Sequence, residues 1–256
     1  MSGALAGRGV VITRPAGEAQ RLADLIREAG GEPLLYPAIE ILPLADASAL
    51  DAVIDALDDF DLAIFVSPSA VAQAMPRITA RHALPATLRC AAIGPGGVRA
   101  LQRFGVKDVI APQVRYDSEA LLASAYMQQV RGLRTVIFRG EGGRELLGET
   151  LVARGAAVTY AACYRRGKPA WDAAPLLLAW QRNRVAAIIV TSSEGLRHFC
   201  AHVGEAGLPW LRQTPMIVPH PRIAAVAREL GVTRVVESVS GDEALVRALG
   251  SLVMAP

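Results

Sequence analysis

The sequence predicts an α/β protein made of two doubly wound parallel-sheet domains that arose by internal duplication. Three observations support this fold class. Short apolar runs alternate with amphipathic helical patterns, glycine follows the last apolar position of several predicted helices, and the second half repeats the first. With 256 residues, of which 52% are hydrophobic, the chain is long enough for two domains that each bury a core.

The predicted strands are short apolar runs with no polar face. Residues 63–66 and 187–190 are examples, and such runs are typical of parallel strands that helices cover on both faces. In the predicted helices, apolar residues recur at helical spacing, as Leu22 and Ile26 do before Gly30. Glycine at this position favours a left-handed helix end. Repeated strand–helix units with right-handed crossovers predict a flavodoxin-like fold for each copy.

The duplication appears when Arg14 is aligned with Arg139, 125 positions later in the chain. The same offset aligns Ser67 with Ser192. Further blocks follow in the same order: residues 93–95 match 218–220, and, after the loss of one residue, 118–121 match 242–245. Several blocks in one order at one offset indicate two copies of one fold.

Two extended segments are predicted to connect the domains. Residues 36–41, and residues 160–165 as their repeat equivalent, each follow the second predicted strand of a copy. Neither is rich in glycine or serine, so a flexible tether is not expected. The residues alone leave open whether the domains are two contiguous halves or exchange their first strand–helix units.

Composition and charge argue against several classes of protein. The net charge is only +3 and no run of lysine and arginine occurs, so nucleic-acid binding is not expected. No apolar run reaches the roughly 18 residues that cross a bilayer, and the first ten residues lack the pattern of a secretory signal. Cys90, Cys163 and Cys200 are scattered singly, which argues against disulfides and structural zinc and favours the cytoplasm.

The candidate binding residues lie in loops that follow the predicted strands. In open parallel sheets ligands bind at this edge, where helix N-termini present unpaired backbone N–H groups to anions. Any single serine there is equally well explained as a helix cap. Together these loops, with the arginine excess, predict a site for a small acidic ligand. Its candidates are Thr13, Arg14, Ser67, Ser69, Gly94, Gly96, Arg139, Gly140, Thr191, Ser192, Ser193 and Arg222.

Known cofactor and catalytic motifs are missing from the sequence. The glycine loops at residues 94–99 and 140–145 do not complete GxGxxG, and no phosphate-binding GxxxxGK[ST] or nucleophile GxSxG occurs. His198 and His202 have a spacing that suits a metal, yet no third ligand is evident, so we expect neither a metal nor a cofactor. Tyr164 either packs a joint between the domains or hydrogen-bonds a leaving group.

The order of these blocks resembles the uroporphyrinogen-III synthase family from about Val10 to Leu249. The matching blocks are residues 12–15, 64–71, 92–95, 139–146, 164–166, 191–195 and 221–224. The resemblance implies two flavodoxin-like domains joined by a two-stranded linker, with the first strand–helix unit belonging to the C-terminal domain. The implied bounds are 1–37 plus 168–256 for one domain, 42–162 for the other, and 38–41 and 163–167 for the linkers.

The resemblance also implies an activity, that of a hydro-lyase of haem, sirohaem and cobalamin biosynthesis. Such an enzyme cyclises hydroxymethylbilane to uroporphyrinogen III with loss of water and inversion of ring D, without a cofactor. By match to the family's motif, Tyr164 assists departure of the hydroxyl, and Ser67 and Ser192 contact the substrate. The sequence departs from the family at residues 96–97 and 221–222, where relatives often carry threonine, so backbone N–H groups or Arg222 would replace those hydroxyl contacts.

The expected partner is this octacarboxylate substrate, with transient contact to the enzyme that makes it. We expect a monomer in the cytoplasm that binds neither nucleic acid nor membrane. Two alternatives come from other classes. A bilobed solute-binding protein would share two α/β lobes but requires an export signal, and a regulatory member could keep the fold without the activity.

Overall fold

The computed structural model describes Leu5, residues 7–113 and residues 115–254. It divides into two compact units. Unit 1 holds the described residues up to Glu40 and from Gly167 onward, and unit 2 is Ile41–Arg166. Residues 1–4, 6, 255 and 256 belong to the predicted first domain and lie outside the described residues. Residues 1–4 and 6 are also part of the ten residues that were searched for a secretory signal.

The strands are short except for β7 and β8. In chain order they are β1 (Gly9–Ile12), β2 (Glu32–Leu35), β3 (Glu40–Leu42), β4 (Leu62–Phe65), β5 (Arg89–Ala92), β6 (Val109–Ile110), β7 (Arg134–Gly140), β8 (Ala157–Gly167), β9 (Val185–Ile189), β10 (Met216–Val218) and β11 (Val235–Glu237).

The helices alternate with these strands. They are α1 (Ala16–Glu28), α2 (Ser48–Asp55), α3 (Pro68–Thr79), α4 (Pro95–Arg103), α5 (Ser118–Leu122), α6 (Leu146–Ala153), α7 (Ala174–Gln181), α8 (Ser193–Gln213), α9 (Pro221–Glu229) and α10 (Asp242–Met254). Gly204 has non-helical angles and breaks α8 into two parts. Within the described ranges, no helix combines the length and the apolar character needed to cross a membrane.

The sheet of unit 1 mixes strands from both copies. Its order is β11-β10-β9-β1-β2, and every neighbouring pair is parallel. Counted along the unit, this is the 2-1-3-4-5 order of flavodoxin-like sheets. Strands β1 and β2 of the first copy therefore complete a sheet whose other strands belong to the second copy.

The sheet of unit 2 has the reciprocal composition. Its order is β3-β8-β7-β4-β5-β6, so β7 and β8 of the second copy join β4, β5 and β6 of the first, again in parallel. The two copies have exchanged their first β-α-β units, a question that the residues alone left open. The predicted fold class is confirmed.

One prediction about the connecting segments is wrong. Residues 160–165 do not follow the second strand of their copy but lie inside it, because β8 continues to Gly167. The strand registers also correct the predicted equivalence of residues 36–41 with 160–165. Ile12 pairs with Leu35 and Ile137 pairs with Tyr160, so Tyr160 corresponds to Leu35 and the predicted alignment was shifted by one residue.

Alternation along the strands builds a core on each face of each sheet. In β1, Val11 packs into one cluster, while Val10 and Ile12 pack into another on the opposite face. In β4, Phe65 and Ile64 are divided in the same way. Each sheet is therefore covered by helices on both sides, which explains the uninterrupted apolar runs in the sequence.

The helix ends follow the predicted local signals. Ser67 and Ser192 cap α3 and α8 by accepting a hydrogen bond from a backbone N–H three residues later. Gly30, Gly155 and Gly231 have φ of +82°, +90° and +87°, as the predicted left-handed helix ends require.

His82 predicts a pH dependence of the stability of unit 2. Its Nδ1 lies 3.0 Å from the Ala83 carbonyl oxygen and its Nε2 lies 2.8 Å from that of Ile54. Only the imidazolium can donate both bonds, so these carbonyls raise the pKa of His82 above its ordinary value of 6.5. Because the folded-state pKa is raised, this stabilisation is complete below that ordinary value and is lost as the pH rises through the folded-state pKa.

We therefore expect His82→Gln to flatten the pH profile of stability just above pH 6.5, as measured by urea unfolding at a series of pH values. Glutamine keeps a polar side chain but cannot gain a proton. Equal pH slopes for the variant and the wild type in this window would contradict the assignment.

Candidate functional site

The predicted binding loops flank the two places where strand order reverses. In unit 1 the chain leaves β1 and β9 toward opposite faces, and in unit 2 it leaves β7 and β4 in the same way. Flavodoxin-like sheets bind ligands beyond the carboxyl ends of these two central strands, at their switch point. The loops 13–15 and 190–192 lie at the switch point of unit 1, and the loops 66–67 and 141–145 lie at that of unit 2.

The unit 2 switch point brings Tyr164 and Ser67 together, although 97 positions separate them in the chain. The Tyr164 hydroxyl lies 3.2 Å from Ser67 Oγ. Ser67 Oγ also accepts a hydrogen bond of 3.0 Å from the Ala70 backbone N–H at the start of α3. Ser67 can therefore donate its own proton to the Tyr164 oxygen, which leaves the phenolic proton for another acceptor.

Gly140 lies directly against the ring of Tyr164. A Cβ atom on Gly140 would come within 2.6 Å of Tyr164 Cε2 and 2.8 Å of Cζ. The register between β7 and β8 shifts between Arg139 and Gly140, and this irregularity places Tyr164 opposite Gly140. Since Tyr164 is only 3% exposed, the ring has little room to move away from a larger residue.

Arg139 shapes the glycine loop that follows β7. Its Nη2 donates to the Gly142 carbonyl, its Nη1 lies 3.2 Å from Glu145 Oε1, and its guanidinium carbon lies 4.8 Å from the centroid of the Tyr160 ring. The residue is 8% exposed. These contacts are internal to unit 2, so Arg139 orders the loop between β7 and α6.

Arg166 joins the same loop to Tyr164. Its guanidinium carbon lies 5.7 Å from the centroid of the Tyr164 ring, and its Nη1 donates a 3.2 Å hydrogen bond to the Glu141 carbonyl. The Glu141 backbone N–H in turn donates to the Tyr164 carbonyl at 2.8 Å. The tyrosine is therefore fixed at its ring, its hydroxyl and its main chain.

The remaining unit 2 candidates surround the Ser67 loop. A Cβ atom on Gly96 would lie 3.0 Å from Pro68 Cγ, so the loops after β4 and β5 are in contact. Gly94 is the residue before α4 and packs near Tyr116. Ser69 lies in the first turn of α3 and is buried, which leaves little of its side chain accessible to a ligand.

In unit 1 the candidates lie around the corresponding loops. Thr13 is buried, and its hydroxyl donates a 3.0 Å hydrogen bond to the Ile189 carbonyl at the end of β9. Arg14 forms an ion pair of 2.6 Å with buried Asp242 at the start of α10. Thr13 thus ties the two central strands together, and Arg14 is oriented by a neighbouring carboxylate.

The last candidates lie at the N-termini of α8 and α9. Thr191, Ser192 and Ser193 are half-buried where β9 leads into α8, and the Ser192 hydroxyl caps that helix. Arg222 lies in the first turn of α9, and its backbone N–H donates to His220 Nδ1 at 3.0 Å. His220 takes the capping position that the serines hold elsewhere.

The two switch points differ in chemistry despite the duplication. Ser67 and Ser192 are equivalent caps, but at the repeat offset of 125 positions the counterpart of Tyr164 is Ile39. Ile39 is a buried aliphatic residue without a hydroxyl. A phenol is therefore present at this position in unit 2, and an aliphatic side chain takes its place in unit 1.

The three cysteines are buried, and His202 packs against Trp171. Burial raises the pKa of the Cys163 thiol to about 12, so Cys163 beside Tyr164 is not a ready nucleophile. His202 lies over the Trp171 ring, with its Nε2 2.6 Å from the Trp171 carbonyl oxygen. Across these ranges no group of three or more His, Cys, Asp or Glu residues is placed to hold a metal ion.

Sequence reasoning missed two residues that organise these sites. Asp242 was seen only as a repeat equivalent of Ser118, and its ion pair with Arg14 spans 228 positions. Tyr160 packs under Arg139 and its hydroxyl lies 3.5 Å from the Glu145 carbonyl oxygen. The signal available for Asp242 was that it is an acidic residue at the predicted start of a helix.

Comparison with known proteins gives a consistent result. The family model described as "Uroporphyrinogen-III synthase HemD" matches residues 20–247. The uroporphyrinogen-III synthase of Escherichia coli K12 is 34% identical over 243 residues, which cover 94% of this chain and 99% of the relative. That of Synechococcus elongatus is 31% identical and covers 80% of this chain and 79% of the relative.

Solved structures share the fold at lower identity. A mutant uroporphyrinogen III synthase from the extremely thermophilic bacterium Thermus thermophilus aligns with a TM-score of 0.63 at 19% identity, covering 98% of this chain and all of that one. The uroporphyrinogen-III synthetase of Helicobacter pylori 26695 aligns with a TM-score of 0.61 at 15% identity, covering 96% and 99% of the two chains.

Proposed function

The chain belongs to the uroporphyrinogen-III synthase family, and we propose that it cyclises hydroxymethylbilane to uroporphyrinogen III with loss of water and inversion of ring D. The family acts on a small-molecule tetrapyrrole. The observation that carries the proposal for this chain is the contact between Tyr164 and Ser67, 3.2 Å apart at the switch point of unit 2 and backed by Gly140.

In the proposed reaction, Tyr164 assists departure of the substrate hydroxyl. The carbon–oxygen bond of the hydroxymethyl group breaks, and the oxygen leaves as water after it takes up a proton. Ser67 donates to the Tyr164 oxygen, so the phenolic proton points toward the leaving oxygen. The cationic carbon that remains is attacked by ring D at its substituted α-carbon, and the spiro intermediate rearranges so that the inverted ring bonds through its free α-carbon. That carbon then loses its hydrogen as a proton, which balances the proton taken from Tyr164.

The loops that follow the strands hold the substrate carboxylates. Backbone N–H groups at the starts of α3, α4, α8 and α9 suit anions, and Arg222 lies in the first turn of α9. In this proposal Arg14 and Arg139 do not bind the substrate directly. Their guanidinium groups orient the loops through contacts with Asp242 and the Gly142 carbonyl. Holding a flexible substrate in a reactive shape can supply roughly 7–11 kcal/mol in favourable cases.

Separation of the two uroporphyrinogen isomers tests the proposed function. Hydroxymethylbilane cyclises without an enzyme to isomer I, so isomer III appears only when cyclisation is directed. We expect the chain to yield isomer III, whereas heat-denatured chain yields isomer I. Isomer I alone at every enzyme concentration would refute the activity and leave a regulatory or ligand-binding member of the family.

We also propose that segments 37–41 and 163–167 act as a hinge. In unit 1, Trp171 Nε1 donates a 2.7 Å hydrogen bond to the Pro37 carbonyl, and its ring packs edge-on against Tyr36, 4.9 Å between centroids. These two contacts fix the unit 1 ends of both segments, because they join Pro37 and Tyr36 to Trp171, which lies just after residue 167. In unit 2, β3 is bonded to β8, and Arg165 Nε donates to the Pro43 carbonyl at 3.0 Å.

Small-angle scattering with and without uroporphyrinogen III checks the hinge. We expect a smaller radius of gyration with the product, because substrate-induced closure excludes water from such sites. Inorganic phosphate at equal ionic strength is the control for a charge effect. Identical scattering curves with and without product would count against closure.

Four finer points stay predictions for this chain. They are a monomeric state, a cytoplasmic location, transient contact with the enzyme that supplies hydroxymethylbilane, and the assignment of substrate contacts to individual loop residues.

A further inference from the structure

Unit 1 contains a cavity at the edge of the sheet opposite its switch point. The cavity measures about 340 Å³ and is lined by residues that come before or begin the strands, among them Arg8 before β1, Ala186 in β9 and Arg234 before β11. The loops of the proposed tetrapyrrole site follow the strands instead. The cavity is therefore a separate feature of the molecule, and the reaction proposed above does not use it.

Two tryptophans line this cavity, Trp180 almost fully buried and Trp210 half-buried. Trp180 Nε1 donates a 3.0 Å hydrogen bond to Thr214 Oγ1, and that hydroxyl donates to the Trp210 carbonyl at 2.8 Å. The threonine thereby uses its hydroxyl to hold Trp180 against the main chain of Trp210. The half-buried Trp210 keeps part of its side chain accessible, and an indole face is a good stacking surface for a flat ring.

The charged side chains that line the cavity are cationic, and its other polar side chains are neutral. Arg8 and Arg234 are exposed and line it, and neither forms an ion pair within the described ranges. Gln213 and Asn183 also line it, while no aspartate or glutamate does. Two unpaired arginines without a nearby lining carboxylate favour an anion, and planar guanidinium groups suit a carboxylate.

We propose that this cavity binds a planar aromatic carboxylate. The ring stacks on the half-buried Trp210, next to the buried Trp180–Thr214 pair, and the carboxylate receives hydrogen bonds from Arg8 or Arg234. A volume of about 340 Å³ lies within the range of small-molecule sites and exceeds what a single anion such as phosphate requires. A linear tetrapyrrole with eight carboxylates is too large for it.

NMR of the full chain tests this with 2-naphthoate as the probe. The chain has three tryptophans, Trp171, Trp180 and Trp210, so a ¹⁵N-labelled sample gives three indole N–H signals that Trp→Phe variants assign. We expect 2-naphthoate to shift the Trp180 and Trp210 signals in a saturable way and to leave Trp171 unchanged. Cyclohexanecarboxylate, which is not flat, and inorganic phosphate, which has no ring, should bind at least about tenfold more weakly.

A double variant tests the role of the arginines. Arg8→Gln with Arg234→Gln should weaken 2-naphthoate binding at least about tenfold, since both cations at the site are removed. The matched control is Arg103→Gln with Lys107→Gln, which removes two exposed unpaired cations from unit 2 and should leave binding unchanged.

Three results would overturn the proposal. They are no saturable shift up to tens of millimolar, where a fragment of this size should bind; equal binding of phosphate; and equal weakening by the control variant. Isomer III formation can be measured on the same samples. Failure of the binding test leaves the proposed reaction unaffected, and failure to form isomer III leaves the proposed cavity site unaffected.

Discussion

Replacing Gly140 with alanine should lower kcat for uroporphyrinogen III formation by up to about 100-fold while the protein still folds. The added methyl group would lie 2.6 Å from Tyr164 Cε2, well inside contact distance, and the buried ring must shift. A displacement of about 1 Å at a reacting group is enough for a loss of this size. Steady-state kinetics with hydroxymethylbilane, and urea unfolding of the same sample, measure the two effects separately.

The backbone of Gly140 does not confound this test. Gly140 is absent from the glycines with positive φ, so alanine can adopt its conformation, and the cost comes from the close approach to Tyr164. We expect overpacking to destabilise the protein by about 1–3 kcal/mol. Gly250→Ala in α10 is the matched control, because nothing lies within 4 Å of its added methyl group. A wild-type kcat for Gly140→Ala would remove Tyr164 from the reaction.

Replacing Tyr164 with phenylalanine should lower kcat by roughly 100-fold or more and leave the unfolding free energy nearly unchanged. The ring keeps its packing against Gly140, and only the hydroxyl 3.2 Å from Ser67 Oγ is lost. Assistance by a positioned acid contributes about 100- to 10,000-fold in enzymes. Single-turnover rates isolate this step from product release. A variant rate within twofold of wild type would show that the phenol has no part in the reaction.

Ser67→Ala, alone and with Tyr164→Phe, shows whether the two hydroxyls act together. The serine variant also loses the cap of α3 and should cost about 1 kcal/mol of stability. If Ser67 acts by orienting the phenolic proton, the double variant should be no slower than Tyr164→Phe alone. Ser192→Ala removes the equivalent cap in unit 1, so urea unfolding of that variant gives the stability cost of a lost cap for comparison with Ser67→Ala.

Much of the fold could be predicted because its signals are local. Apolar runs such as residues 63–66, the glycines after α1 and α9, and the repeat at 125 positions each depend on nearby residues or on direct comparison. The exchange of β1 and β2 for β7 and β8 could not be derived from the residues, since strand pairing between distant segments leaves no local pattern. The resemblance to the family supplied it instead.

The site was predictable as a set of loops and less so as a set of roles. Ser67 and Gly140 lie beside Tyr164. The contact between Gly140 and Tyr164 depends on a register shift between β7 and β8, which no residue pattern predicts. Arg14 and Arg139 were predicted to bind substrate because arginine suits carboxylates. In the structure they bind Asp242 and the Gly142 carbonyl, partners that are visible only after folding.

In the proposed reaction the loops shape the substrate, and Tyr164 only speeds departure of its hydroxyl. The most direct measurement is the fraction of isomer III formed by Tyr164→Phe as its concentration is raised. Spontaneous cyclisation to isomer I competes at a fixed rate, so a variant that is slow but still directs the reaction should restore isomer III when enough of it is present. Persistent isomer I at saturating Tyr164→Phe would contradict the account and make Tyr164 the group that directs ring D.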